Sequence, residues 1–207
     1  PDADGADATS FAILARTNRE LLPAVVAALV LDVPFRAAGI ELPVESPVVD
    51  ELLARARRLP ADLPPTVRLA RIRGDAAGER HGVGEALLAW APAFRDLEGL
   101  QDAIVDVRAR LARLRRDDAA LTLATAHGTK GLEFDHVAVI GMDEGRFPSA
   151  RSIADAEDPR RALEEERRLA YVAWTRARRS LTLVYDPEAP SLFLREAFDP
   201  WELHPAA

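Results

Sequence analysis

Two segments concentrate the residue types that can do chemistry. The first is Thr125-Ala-His127-Gly-Thr-Lys130-Gly-Leu-Glu133-Phe134, where polar residues of four kinds crowd ten positions. It follows an apolar run at 120–126, so it falls at a strand's carboxyl end, where open α/β sheets bind ligands. Gly128 and Gly131 let the backbone approach a phosphate or turn through positive φ. The plain alternative is a strand-to-turn connection that binds nothing. The second segment is Glu164-Glu-Glu-Arg-Arg168-Leu-Ala-Tyr171-Val-Ala-Trp174-Thr-Arg176-Ala177. On a helix, Leu169, Val172 and Ala173 share one face, while Arg168, Thr175 and Arg176 reach elsewhere. The plain alternative here is a solvated helix with Glu164 and Arg168 paired at i, i+4, worth a few tenths of a kcal/mol. On that reading Arg178 and Arg179 are solvated, and Tyr171 and Trp174 belong to the core.

Other chemistries are excluded by what the sequence lacks. No G-x-x-x-x-G-K-[ST] occurs, so the chain cannot cradle a nucleoside triphosphate by itself. There is no H-E-x-x-H, G-x-S-x-G or G-x-G-x-x-G. His81, His127, His136 and His204 lack metal-ligand spacing, and no metal site is expected. The absence of cysteine removes disulfides, thiolate zinc sites and cysteine nucleophiles. The run Val137 to Glu144, an apolar strand ending in Asp-Glu, looks like a magnesium-binding segment. That reading needs a phosphate loop upstream, so an acidic loop after a sheet strand is expected instead.

The elements that must hold these segments follow from pattern. Ser10 to Ala15 reads as a strand covered on both faces. Thr17 caps a helix running to about Leu31, with Glu20 completing a capping box. A short strand spans Phe35 to Ala38, and a helix after Pro47 carries Val48, Val49, Leu52 and Leu53. Pro60 to Gly84, rich in proline, glycine and arginine, reads as a connection outside the core. Helices resume at 85–90 and 97–116. Strands are expected at 120–126, 135–142 and 181–185, a loop at 143–158, and helices at 159–178 and 191–198. Apolar strands alternating with helices predict a parallel sheet in an α/β domain with helices on both faces.

Composition sets the frame. At 207 residues, 48% hydrophobic and 29% charged, the chain is globular, either one domain or a domain with a modest insertion. Residues 1–9 read as a frayed, disordered terminus. No Met leads, and a piece of something longer is expected. No apolar run approaches the ~20 residues of a membrane helix, so no membrane association is expected and a cytoplasmic setting follows. The net charge of −7 excludes a surface that binds polyanions everywhere. Of the 27 basic residues only Lys130 is lysine, a bias that fits an arginine-rich genome. A basic cluster such as Arg108, Arg110, Arg113, Arg115 and Arg116 could still serve nucleic acid locally.

In order along the chain, three motifs resemble those of the UvrD/PcrA/Rep family of superfamily 1 DNA helicases. F-A-I-L-A-R-T-N is similar to motif IV, T-A-H-G-T-K-G-L-E-F with the following G-M-D-E-G-R-F-P to motif V, and E-E-E-R-R-L-A-Y-V-A-W-T-R-A to motif VI. S-L-F-L-R-E looks like that family's closing helix. The resemblance implies a RecA-like, P-loop NTPase-type domain: the second motor domain of an ATP-dependent 3′ to 5′ DNA helicase, at residues 10–58 and 118–200. A reduced, mainly helical accessory insertion would occupy 59–117. It implies that Arg16 and Arg176 contact the γ-phosphate as catalytic arginines and that Glu133 takes the ribose hydroxyl. Lys130 would help bind ATP, and Thr125 and His127 would face single-stranded DNA. An arginine fork suits the charge spread over a transferring phosphoryl group. The partners implied are a first RecA-like domain, carrying the phosphate loop and magnesium ligands, and single-stranded DNA. ATP and Mg2+ are the implied cofactors, and this chain alone is expected to be inactive. The family usually has tyrosine before the motif IV arginine; here it is Ala15, so adenine stacking from this side is not expected. The alternative is a non-catalytic interaction module derived from such a helicase.

Overall fold

A computed structural model describes residues 9–73 and 78–203. His204, and all of the expected frayed terminus except Thr9, lie outside these described residues. In chain order, strand β1 (Phe11–Ala15) leads into helix α1 (Asn18–Val30) and the two-residue strand β2 (Phe35–Arg36). Four helices follow: α2 (Val48–Ala56), α3 (Pro65–Arg73), α4 (Glu79–Trp90) and α5 (Leu97–Leu114). The chain returns through β3 (Leu121–Thr125), β4 (Phe134–Val139), α6 (Ala150–Ala154), α7 (Pro159–Trp174), β5 (Ala177–Leu183), α8 (Leu192–Ala197) and α9 (Pro200–Leu203). No helix among the described residues is long and apolar enough to cross a membrane.

Two compact units result, one from residues 1–39 and 115–207, the other from 40–114. The first is an α/β unit whose five strands, all parallel, lie in the order β2-β3-β1-β4-β5. Thr17 is extended and its N–H donates to the Glu20 carboxylate at 2.9 Å, so the expected capping box opens α1. Alternate residues Ala12 and Leu14 of β1, and Val137 and Val139 of β4, pack under Leu169, Ala170 and Ala173 of α7. Phe147 and Phe193 extend the same core and meet edge to face. On the opposite face α1 lies over β1 and β3. Because β1 sits between β3 and β4, residues 126–133 must cross it and also return the length of a strand. Eight residues span at most about 28 Å at ~3.5 Å each, enough for this crossing even with a turn at 126–129. Gly131, at φ +83°, supplies a turn that a side-chain-bearing residue rarely adopts.

The helical unit of residues 40–114 has its own core. Val49, Leu52, Leu53 and Ala56 fall at helical spacing on α2 and pack with Leu69, Val83, Leu87, Leu100 and Ile104. The stretch Pro60–Gly84 is therefore not a coreless connection: it holds α3 and the start of α4. Pro65 is the first residue of α3, where the missing N–H costs nothing. Of the insertion expected at 59–117, residues 59–114 fall in this unit, which also takes in α2 with its buried apolar stripe, and 115–117 fall in the α/β unit.

Other boundaries shift as well. The helix expected to reach 178 ends at Trp174, and Arg178 and Arg179 lie on the edge strand β5. The expected Glu164–Arg168 pair is replaced by Glu164 with Arg167, which also grips Glu196. Tyr171 is 69% exposed and is not a core residue, whereas Trp174 packs against the core. The arginine stretch is not an open basic face. Arg108 pairs with Asp50, Arg110 with Asp106 and Arg116 with Asp118, and Arg113 and Arg115 are also engaged.

Candidate nucleotide-contacting site

The corner where α7 turns into β5 fixes Arg176. Thr175 ends the helix and its hydroxyl donates to the Tyr171 carbonyl at 2.9 Å. Arg176 then donates through Nε to the Val172 carbonyl and through NH1 to the Leu132 carbonyl, both at 2.9 Å. Its own carbonyl accepts from the Phe134 N–H at 2.8 Å, which ties the corner to the start of β4. The guanidinium thus sits at the carboxyl end of a helix, where the dipole favours a cation. All its described partners are neutral oxygens, so its charge stays uncompensated. Glu133 stands at the same corner, exposed, with its Oε2 3.1 Å from Arg178 Nε. Lys130 is exposed at the end of the turn of residues 126–129.

Arg16 is held differently. It follows the last residue of β1, and its Nε and NH2 edge grips the Glu166 carboxylate at 2.6 to 2.9 Å. Ser149 N–H donates to Glu166 Oε2, which Arg16 Nε also reaches, at 3.0 Å, and Arg16 NH2 also reaches Ser152 Oγ at 3.3 Å. The Glu166 hydrogen bond, against the opposing cost of burial, raises the Arg16 pKa further above its ordinary value. No described group accepts from Arg16 NH1.

Strand register relates the two arginines. Leu14 pairs with Val139 at one end of β4, and Ala177 pairs with Phe134 at the other. Their backbones therefore flank opposite ends of strands about 17 Å long. Their side chains nevertheless both reach α7, at Glu166 and at Val172, about 9 Å apart in helical rise. The guanidinium groups do not touch each other. Thr125 ends β3 and its Oγ1 accepts from Gly128 N–H at 3.3 Å; His127 is exposed beside it. Thr125 and His127 share the carboxyl end of the sheet with Arg16, and Glu133 shares the opposite corner with Arg176.

Residues 102–188 match the UvrD-like helicase C-terminal domain. This stretch contains Thr125, His127, Lys130, Glu133 and Arg176, while Arg16 and the rest of 10–58 lie outside it. The chain is 49% identical over 79 residues to DNA helicase II of Escherichia coli K12, covering 38% of this chain and 10% of that protein. It is 53% identical over 66 residues to the ATP-dependent DNA helicase PcrA of Leuconostoc citreum, covering 32% and 8% respectively. To PcrA of Bacillus subtilis it is 44% identical over 81 residues, 39% of this chain and 10% of that protein. The matches thus span about a tenth of the length of these relatives. The five-stranded parallel sheet with α7 on one face and α1 on the other agrees with a UvrD-like, RecA-type C-terminal domain.

Within the α/β unit, the residue that sequence patterning passes over is Glu166, which is 5% exposed. The signal was present: Glu166, Leu169, Ala170 and Ala173 follow i, i+3, i+4, i+7, placing a carboxylate within the apolar stripe. Such a group requires a buried partner. The segment Val137 to Glu144 ends as an acidic loop. Asp143 accepts from Asp186 N–H at 2.7 Å and pairs with Arg146, and Glu144 faces Arg195. Among the described residues no cluster of three or more histidines or carboxylates could hold a metal ion.

Proposed function

We propose that this chain is the second motor domain of an ATP-dependent DNA helicase with 3′ to 5′ polarity. The observation that carries the reading is the match of 102–188, which includes Arg176 on its helix-to-strand corner. The residues fit the polyphosphate of ATP. Among the described residues no carboxylate pairs with Arg176, and Arg16 keeps one guanidinium nitrogen free of described partners. Bound ATP with Mg2+ would supply the phosphoryl group whose hydrolysis drives stepping. Arg176 would stabilise charge on the γ-phosphoryl oxygens, held in place by the Val172 and Leu132 carbonyls. Arg16 would reach the same anion from the β1 side. Glu133, exposed beside Arg176, would accept from the ribose hydroxyl and exchange its bond to Arg178 for it. Lys130 would add charge near the polyphosphate, and Thr125 and His127 would face single-stranded DNA at the carboxyl end of the sheet.

The partner this requires is a first RecA-like domain carrying the phosphate loop and magnesium ligands, working in the cytoplasm. Residues 40–114 would stand where the accessory insertion of such a helicase stands. The test is ATP hydrolysis with and without single-stranded DNA. A polypeptide joining this chain to a phosphate-loop motor domain is expected to hydrolyse ATP in a DNA-stimulated manner, and the 207-residue chain alone to show only background. DNA binding by the joined polypeptide without turnover would favour the non-catalytic module instead.

A further inference from the structure

We propose that Glu166 is a positioning residue that presents Arg16 to the phosphate of the nucleotide and stays bonded to it while it does so. The proposal rests on the function proposed above and extends it to a residue that does not touch substrate. The carboxylate takes the Nε and NH2 edge of the guanidinium and leaves NH1 pointing away from it. An arginine has two usable edges, so one carboxylate and one phosphate oxygen can be served together. Glu166 is itself fixed from a second side by the Ser149 N–H at the start of α6.

Letting go of this carboxylate to chase a phosphate would strand a buried charge, which is strongly unfavourable. Arg16 therefore does not swing from Glu166 to phosphate. It keeps its grip and offers NH1, so its side-chain torsions are set before the nucleotide arrives. Orientation of this kind acts on the rate of the chemical step more than on ground-state affinity. The same helix that aims Arg16 through Glu166 carries Arg176 at its end, so α7 sets both guanidinium groups on one rigid element.

The experiment uses the polypeptide that carries both motor domains. Glu166→Gln keeps shape and one acceptor but loses the two-point grip. It is expected to lower kcat about tenfold with KM for ATP changed less than about twofold. In an Arg16→Ala background the same substitution is expected to cost nothing further, because there is no arginine left to aim. A merely structural role would lower stability in both backgrounds and leave that coupling at zero. A second readout needs no variant at Glu166. The Arg16 Nε–H resonance, assigned by its loss in Arg16→Lys, should stay protected from solvent exchange when a non-hydrolysable ATP analogue and Mg2+ are added. Loss of that protection on nucleotide binding, or an unchanged kcat in Glu166→Gln, overturns the proposal. If Arg176→Ala abolishes turnover while Glu166→Gln does not, the helicase reading stands and the positioning role falls. A polypeptide with no DNA-stimulated turnover removes both.

Discussion

Two arginines in this chain show how a guanidinium's partners decide what it can still do. Arg176 is bonded to carbonyl oxygens, which orient it and leave its charge for an anion. Lysine cannot reproduce that arrangement, since an ammonium is a point charge without a planar fork. Arg176→Lys is therefore expected to recover little of the turnover lost in Arg176→Ala, as steady-state hydrolysis by the two-domain polypeptide would show. A carboxylate at the amino end of the sheet carries a pH signature. Asp135 accepts from the Ser10 N–H at 2.9 Å and the Ser10 hydroxyl at 3.1 Å, with Arg179 at 3.2 Å. The Ser10 backbone bond, reinforced by its hydroxyl and by Arg179 and Arg178, holds the Asp135 carboxyl below its ordinary value. A depressed folded pKa gives stability that is full above the unfolded value of about 3.9 and lost as pH falls through the folded one. Ser10→Ala removes one of these bonds, so its acid-unfolding midpoint should lie at higher pH than the parent's. An unchanged midpoint would mean that the hydroxyl contributes nothing.

At the scale of elements, the helical unit of 40–114 depends on its buried leucines. Leu100 is fully buried, and Leu100→Ala is expected to cost about 2–5 kcal/mol, read from urea unfolding followed by helical circular dichroism. Amide exchange should rise first in α2, α3 and α4, with the β1 and β4 ladder protected longer. Equal loss in both would contradict two separate cores. This unit was the part least legible in the sequence. Its prolines and glycines resemble a linker, yet Pro65 starts a helix and Gly84 sits within one, facing Arg73 closely. Punctuation residues are ambiguous because the same φ restriction serves a turn and a helix start. The sheet was far more legible, since short apolar runs between helices have few alternatives. The end of α7 was misplaced because Arg176, Ala177 and Arg178 suit a helix locally. What stops it there is the pairing of Ala177 with Phe134, a contact between residues far apart in sequence. Of the candidate site, the polar turn at 126–133 could be read from residue type, and Arg176 from the resemblance to motif VI. The partner of Arg16 could not be read without noticing a carboxylate inside an apolar stripe.

The whole molecule carries a net charge of −7, and its arginines are widely matched with carboxylates. On the proposed reading, contact with single-stranded DNA rests on a narrow strip near Thr125 and His127. Few phosphates are neutralised, so binding should be weak with a shallow salt slope, about 0.7 per phosphate on single strands. Fluorescence anisotropy across a salt series checks this, and nanomolar affinity at physiological salt would point to a dedicated binding module. The central claim is that this domain completes an ATP site through the corner of α7 and β5. Its most direct test is the rate of DNA-stimulated ATP hydrolysis by the two-domain polypeptide with and without Arg176→Ala. The account predicts a fall of about three orders of magnitude with nucleotide affinity little changed. A variant that hydrolyses ATP within about threefold of the parent, under 1 kcal/mol of barrier, would contradict it.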